Sequence, residues 1–460
     1  MIRAFRKAIG NWPRSETRLV LFLLLVFKLP VSAWAGETVL ADFESGSLSE
    51  TWVGIRTIRA ERTLCPEANI KDAGAPAGRA LKIQTSGKAG VFTRTGKPPL
   101  EWPRVKSLSF WVHRTKDEAD RHKSTALEVQ FYEADGKTRY WRKVDLDHVG
   151  WKQIDVNLKW CRWSSERIPD WKDVKRFGFW FQDAGEIVID NVSAVTGSRD
   201  SAWLTDADLK AIMIPDKPES VAVFDEAPYV RILTDASKID GSVLAKHLGQ
   251  VAEKIVKDFE FLPAPSKPGY LLVFADREQY QNFPSRFAEK QNAKAEKLTF
   301  GGFTFQGMAT SYWTEIYGTL RPVYAHEFAH ALLGQILDLS NRGEWLHEGL
   351  AVRYQLAASP QKDFPDIVRH GVRNAKARLP LDKLLDGKPI QTQFYWQATT
   401  VVDFLSTKYA EQWPALIKAI RQNGSTDLGP HLEPVLKTNW QQLEADWIGF
   451  CQKKYAAEKE

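Results

Sequence analysis

His326-Glu327-Phe328-Ala329-His330, followed by Trp345-Leu346-His347-Glu348-Gly349-Leu350-Ala351, decides how this chain is read. On an α-helix four residues turn about 400° and rise about 6 Å. His326 and His330 would then stand one above the other and direct two imidazole nitrogens at one ion. Glu327 lies about 100° around the helix from His326. That places it off the ligand line, yet within reach of a water on the ion, where a general base belongs. Two histidines leave zinc short of protein ligands, and two His with one Glu is a known catalytic set. Glu348 follows His330 by 18 residues, enough for the helix to end, the chain to turn and a second helix to return.

The neighbouring residues predict that layout. Thr319 can cap the helix start, and Pro322 is tolerated in its first turn. Leu320, Val323, Tyr324, Phe328, Leu332, Ile336 and Leu337 give the helix apolar faces, so it should be buried. Ser340-Asn341-Arg342-Gly343 reads as the break. Glu344 to Ala358 reads as the return helix, stopped before Pro360. His347 points elsewhere than Glu348 and is expected beside the ligands or at the surface.

These stretches resemble the gluzincin metallopeptidases, and within them the bacterial peptidase MA-like proteins. Those carry a HExxH helix, a W-L-x-E-G-x-A helix and a third helix bearing a tyrosine, which Phe394-Tyr395-Trp396-Gln397-Ala398 resembles. The likeness covers about residues 228 to 455 and is sharp over 319 to 356. It implies zinc held by His326, His330 and Glu348, with Glu327 as base. It also implies Tyr395 as hydrogen-bond donor to the developing oxyanion. Tyr317, Tyr324 and Tyr354 are rivals for that role.

Two departures limit what carries over. Thermolysin-like enzymes place an acidic residue four positions after the third ligand, where this chain has Val352. Orientation of the histidines must come from elsewhere. Aminopeptidase N-like enzymes carry G-x-M-E-N upstream, and the nearest stretch here is Gly307-Met308-Ala309-Thr310, without the glutamate. This argues against aminopeptidase action. Gly301 to Trp313 can still supply an edge strand beside the cleft, to which a peptide could add.

The first 35 residues read as a secretory signal. Arg3, Arg6, Lys7, Arg14 and Arg18 form a basic start, Leu19 to Phe27 a short apolar run, and Ala33-Trp34-Ala35 a small-x-small cleavage site. A run that short is too small to span a bilayer comfortably, so the expectation is export with cleavage after Ala35 and a periplasmic or extracellular chain. That segment holds six Lys or Arg and one Glu, so the whole chain's +6 falls to about +1 on its removal. Charge therefore makes no case for nucleic acid. Cys65 and Cys161 fall in one region and could pair, leaving Cys451 alone.

Two domains are expected. Residues 36 to 197 read as an all-β sandwich. Alternating runs recur at 80–84, 107–112, 127–132, 153–156 and 177–181, with turn signals such as Asp135-Gly136-Lys137 between them. The region resembles the galactose-binding-like jelly rolls that include many carbohydrate-binding modules. That resemblance implies a structural calcium near the two ends, with Asp42, Glu44 and Asp190 as candidates. Trp102, Trp111, Trp141, Trp151, Trp160, Trp163, Trp171 and Trp180 could stack on sugars, though most are expected in packing. Residues 198 to 227 read as a connector with one short helix over 203–212.

Residues 228 to 460 read as α+β. Strands are expected at 229–234 and 270–274, and helices near 240–259, 366–377, 394–409, 412–422 and 440–456. The fold class is thus a jelly-roll sandwich followed by a gluzincin-type domain with a small sheet and a helical half. The function expected is an exported zinc peptidase. The alternatives are a non-catalytic envelope protein binding glycan or protein on a zinc-stabilised scaffold, and a zinc amidase acting on peptidoglycan peptides.

Overall fold

The computed structural model describes residues 36–456, apart from 45–47, 56–57, 65–75, 77, 97–99, 117, 119–124, 137–138, 164–166, 296 and 298–299. The expected leader (1–35) and Cys65 lie outside the described residues.

Two antiparallel sheets form the N-terminal sandwich. One runs Ile58–Leu64, Arg79–Thr85, Gly185–Thr196, Val105–Arg114, Gly150–Asn157, with Glu37–Ala41 also paired to Gly185–Thr196. The other runs Arg162–Trp163, Arg139–Leu146, Thr125–Glu133, Val174–Phe181, Ala89–Thr93, Trp52–Ile55. Side chains alternate across each strand. Leu108, Phe110 and Val112 therefore meet Leu127, Val129, Phe131, Phe177 and Phe179 in one core. Trp102 and Trp171 pack edge-on against Phe131, at ring-centroid distances of 5.4 and 5.2 Å. These tryptophans fill the sandwich rather than face solvent.

The stretch 198–227 holds the expected short helix, at Asp206–Met213, and an unexpected strand, Ala222–Glu226. Thr205 and Asp208 form a capping box on the helix Asp206–Met213. Leu209, Ile212 and Met213 on that helix are buried. Ala222–Glu226 then opens a five-stranded sheet by pairing with Val230–Thr234. The sheet continues through Gly269–Phe274 and Met308–Tyr312 to the edge strand Gly302–Phe305. Its period-two pattern faces two ways. Ile232, Leu271, Val273 and Ala309 join the core of the helical half. Leu233, Leu272, Phe274 and Met308 join the core that includes the sandwich.

The second core is closed by Arg277–Lys290, a helix that the sequence pattern did not predict. Pro284 breaks the usual helical signal, yet Tyr280, Phe283 and Phe287 are fully buried. Trp160 of the sandwich packs edge-on against Phe287 at 6.1 Å. The other face of the sheet carries Gly241–Asp258 and the histidine helix Pro322–Leu337. The return helix Trp345–Ala358 and the tyrosine helix Tyr395–Lys408 pack behind it. Phe364–Arg373, Trp413–Asn423 and Trp440–Lys454 complete the helical half near their expected positions.

Thr319 does not cap the histidine helix. It lies in a 3-10 turn, where its hydroxyl accepts from the Asp240 backbone N at 3.2 Å, and the helix starts without a side-chain cap. Cys161 and Cys451 are buried free thiols, and Cys65, with which Cys161 could pair, lies outside the described residues. Burial pushes both thiols up to about 12. Among the described residues no helix is long and apolar enough to cross a membrane.

The sandwich also grips the end of the histidine helix. That helix closes on Asp338 in the left-handed conformation (φ 54). Arg167 of the sandwich donates from Nε to Asp338 Oδ1 at 3.2 Å, and its other arm pairs with the buried Glu133. Burial pushes the Glu133 carboxyl up to about 7, against the pull of Arg167. Arg167→Ala would leave Glu133 buried without its cation, at a cost of about 3 kcal/mol. Calorimetry should show a lower denaturation midpoint; an unchanged midpoint would mean that the contact is not stabilising.

Candidate metal centre

His326, His330 and Glu348 are brought together as the spacing predicts. One ligand atom from each lies within 4.8 Å of the others, and among the described residues this is the one cluster of three or more such groups able to hold a metal ion. The two histidine Nε2 atoms are 3.1 Å apart. Each stands 3.5 Å from a Glu348 carboxylate oxygen.

The packing explains how Glu348 reaches the histidines. The return helix starts on Trp345, whose indole Nε1 donates to the Thr426 carbonyl at 2.7 Å in a buried site. Gly349 lies against the tyrosine helix, where an added Cβ would meet the Ala398 carbonyl oxygen at 2.7 Å. Only glycine lets the two helices approach this closely. Asn341 and Glu344 tie the intervening turn, accepting from the backbone N of Gly343 and Arg342 at 2.8 Å each.

Glu327 sits where the helix geometry placed it, 7 % exposed and beside the cluster. Burial pushes its carboxyl up, while His326, His330 and the hydrogen bond from Thr304 oppose the shift. Thr304 Oγ1 donates to Glu327 Oε2 at 3.0 Å. Thr304 was not among the residues picked out in the sequence, because it comes from the edge strand. The strand crosses close to the helix at Gly302, where a Cβ would meet Glu327 Cγ at 2.7 Å.

Tyr395 is the tyrosine that the fold brings to the site. Its ring lies nearly parallel to that of His326, at 6.4 Å and 10°. Burial, and then the Glu348 carboxylate, push its hydroxyl above the usual tyrosine range. Its rivals are occupied or remote. Tyr324 donates to the Tyr312 carbonyl, Tyr354 donates to Asp258, and Tyr317 is exposed. Val352 does line the cleft, and no acidic residue replaces it. The group orienting His330 is instead Asn341, whose side-chain amide lies 3.2 Å from His330 Nδ1. His347 is fully buried, not at the surface. Its ring lies 6.4 Å from that of His330, and burial lowers its basicity.

The donor set fits zinc. It offers two imidazoles and one carboxylate, and Glu348 Oε2 is buried without a hydrogen-bond partner. The two histidines hold Glu348 below the usual carboxylate range despite its burial, so it is anionic, as a ligand must be. Asn341 can steady His330 from its other nitrogen. The cleft over the cluster has a volume of ≈ 1080 Å³ and takes in the edge strand, Tyr395 and two sandwich residues, Arg162 and Trp163.

The three residues expected to hold calcium are not gathered in this way. Asp42 accepts from the Glu44 backbone, Glu44 from the Arg79 backbone, and the buried Asp190 from the Asn191 backbone. They form no metal cluster among the described residues.

Neither a protein-family model nor a curated protein matches the chain. Solved structures similar to it include the family 11 carbohydrate-binding module of a cellulosomal cellulase of Clostridium thermocellum. That match has 14% identity and a TM-score of 0.26, over 35% of this chain and 96% of that one. A family 22 carbohydrate-binding module of a Clostridium thermocellum xylanase gives 14% and 0.25, over 37% and 99%. An exo-beta-agarase gives 12% and 0.27, over 50% and 32%. The sandwich is established by its own strand pairing.

Zinc added to metal-stripped protein should raise its denaturation midpoint. A concentration a thousandfold above Kd is worth about 4 kcal/mol. His330→Ala should abolish that rise. The same rise in the variant would place the metal elsewhere.

Proposed function

We propose that the chain is an exported zinc-dependent peptidase of gluzincin type, cleaving peptide bonds within chains rather than from a free amino terminus. One observation carries the reading: a His-His-Glu set, with His330 and Glu348 buried and His326 partly so, and a second carboxylate, Glu327, beside it in an open cleft. His326, His330 and Glu348 would hold zinc. When bound, zinc supplies Lewis acidity and lowers the pKa of a water.

The chain's own residues do the rest. Glu327 takes the proton of the attacking water and later delivers it to the leaving amine. Its burial favours the protonated form after the first transfer. Thr304 holds one of its carboxylate oxygens, so the other is presented in a fixed direction. Tyr395 donates a hydrogen bond to the charge developing on the substrate carbonyl oxygen.

Glu327→Gln should retain one zinc per chain, measured by mass spectrometry, while cleavage of a mixed peptide library falls by orders of magnitude. Full cleavage by the variant, or no zinc in the unmodified protein, would sink the reading.

A second reading, glycan binding by the sandwich, is favoured by the outer face of its second sheet. Tyr132 donates to Gln130, Gln130 and Gln182 both donate to Glu128, and Trp141 and Trp180 lie on the same face. Gln130 is fully buried, so the surface that could meet a sugar is the half-buried rings of Tyr132, Trp141 and Trp180, whose faces suit sugar rings. A glycan array should show binding that Trp141→Ala weakens; a blank array of plant, bacterial and host glycans would remove the reading.

A further inference from the structure

Arg162 lies on Arg162–Trp163, the edge strand of the second sandwich sheet, and it lines the same cleft as His326 and Glu327. Hydrogen bonds on neighbouring residues set its place. Cys161, next in the chain, accepts at its carbonyl from Gln291 Nε2 at 3.1 Å. Gln291 is 1% exposed, and its amide pairs with the amide of Gln306 through contacts of 2.8 and 2.9 Å. Gln306 is itself in the cleft wall, at the turn of the edge hairpin. The sandwich edge and the cleft hairpin are therefore joined through one buried glutamine.

The charge pattern of the cleft gives Arg162 its meaning. Apart from the metal cluster and Glu327, the charged side chains in the described lining are Arg162 and Arg342, both cationic. No ion pair with a carboxylate is seen for Arg162 among the described residues, and its guanidinium rests over the Trp141 ring at 5.6 Å. Arg139 lies over the same ring at 4.9 Å. A half-buried guanidinium packed on an indole keeps its charge but has few conformations to lose on binding. Its planar fork matches a carboxylate.

We propose that Arg162 is a specificity-determining residue, recognising a carboxylate on a peptide bound in the metal cleft. The assignment deepens the peptidase reading, and it rests on that reading for the substrate being a peptide. The carboxylate can come from an Asp or Glu side chain or from the chain terminus. The sandwich thereby contributes to substrate choice, beyond any ligand it holds on its own face.

The test uses binding, so that it does not depend on turnover. N-acetyl hexapeptide amides on an alanine background carry Asn or Asp at each position in turn, and a matched set ends in a free carboxylate. Dissociation constants are measured on the Glu327→Gln protein, zinc-loaded and metal-stripped. At one position or at the terminus, the carboxylate form should bind about tenfold more tightly than its amide, the size of one charge-assisted hydrogen bond. Which set shows the effect identifies the source of the carboxylate. Arg162→Gln should remove the preference without changing amide binding, and Arg162→Lys, which keeps the charge but not the planar fork, should keep only part of it. A preference that survives metal stripping in a protein taking up no zinc would uphold the subsite while the catalytic reading falls. Equal binding of acid and amide forms throughout overturns the assignment. So does a preference that persists in Arg162→Gln and vanishes in Arg342→Gln.

Discussion

The structure depends on burying two imidazoles and two carboxylates side by side. Groups of this kind are costly to take out of water unless an ion or hydrogen bonds compensate them. Little of that compensation comes from other protein groups here. Glu348 Oε2 and His326 Nδ1 are buried without a hydrogen-bond partner, and Glu327 has one hydroxyl, from Thr304. A scaffold has to be stiff to hold such a cluster, and this one is. The histidine helix is buried along nearly its whole length, pressed between the sheet and two helices. Close approaches at Gly302 and Gly349 bring the carboxylates in. The same deficit of partners makes a divalent cation the natural completion of the site.

The sandwich takes part in that stiffness. Leu272, Phe274 and Met308 of the central sheet share a core with sandwich residues. Arg167 reaches across to the residue that ends the histidine helix. An independent binding module would meet its neighbour through a thin, polar linker. Here the stretch between the halves is itself a capped helix and a sheet strand, with its apolar side chains in the common interior.

How much of this could be read beforehand varies with the range of the interaction that fixes each element. The HExxH helix, the return helix and the clustering of His326, His330 and Glu348 were legible because helical periodicity is local, and four or eighteen residues of spacing translate directly into geometry. Tyr395 followed from resemblance alone, and its ring does stack beside His326. Thr304 and Asn341 left no signal, since each acts on the site from another element or a turn. His347 takes the first of its two expected places, beside the ligands, and a lone histidine next to a ligand gives no hint which of the two it will take. The helix at 277–290 was hidden by Pro284, and in the connector the short helix was legible while the strand Ala222–Glu226, placed among punctuating prolines, was not. In the sandwich, strands with clean alternation were found. Ala89–Thr93, buried at every residue, has no alternation to find. The calcium candidates are not gathered into one cluster among the described residues, where each carboxylate accepts from a backbone N–H.

The composite wall of the cleft follows from the same shared core. Once the sandwich is fixed against the sheet by buried apolar contacts and by Gln291, its edge strand cannot move independently of the hairpin that borders the metal cluster. In the peptidase we propose, Arg162 would then line the same cleft wall for every bound chain. On that proposal a side chain there would act at a fixed distance from the candidate metal cluster, a condition for selecting a substrate by charge rather than merely attracting it. A tethered module would raise local concentration through its linker, and the reacting bond could fall anywhere within reach. A welded one sets a register. That difference in rigidity, visible in which residues share a core, is the physical ground for assigning the sandwich a part in specificity.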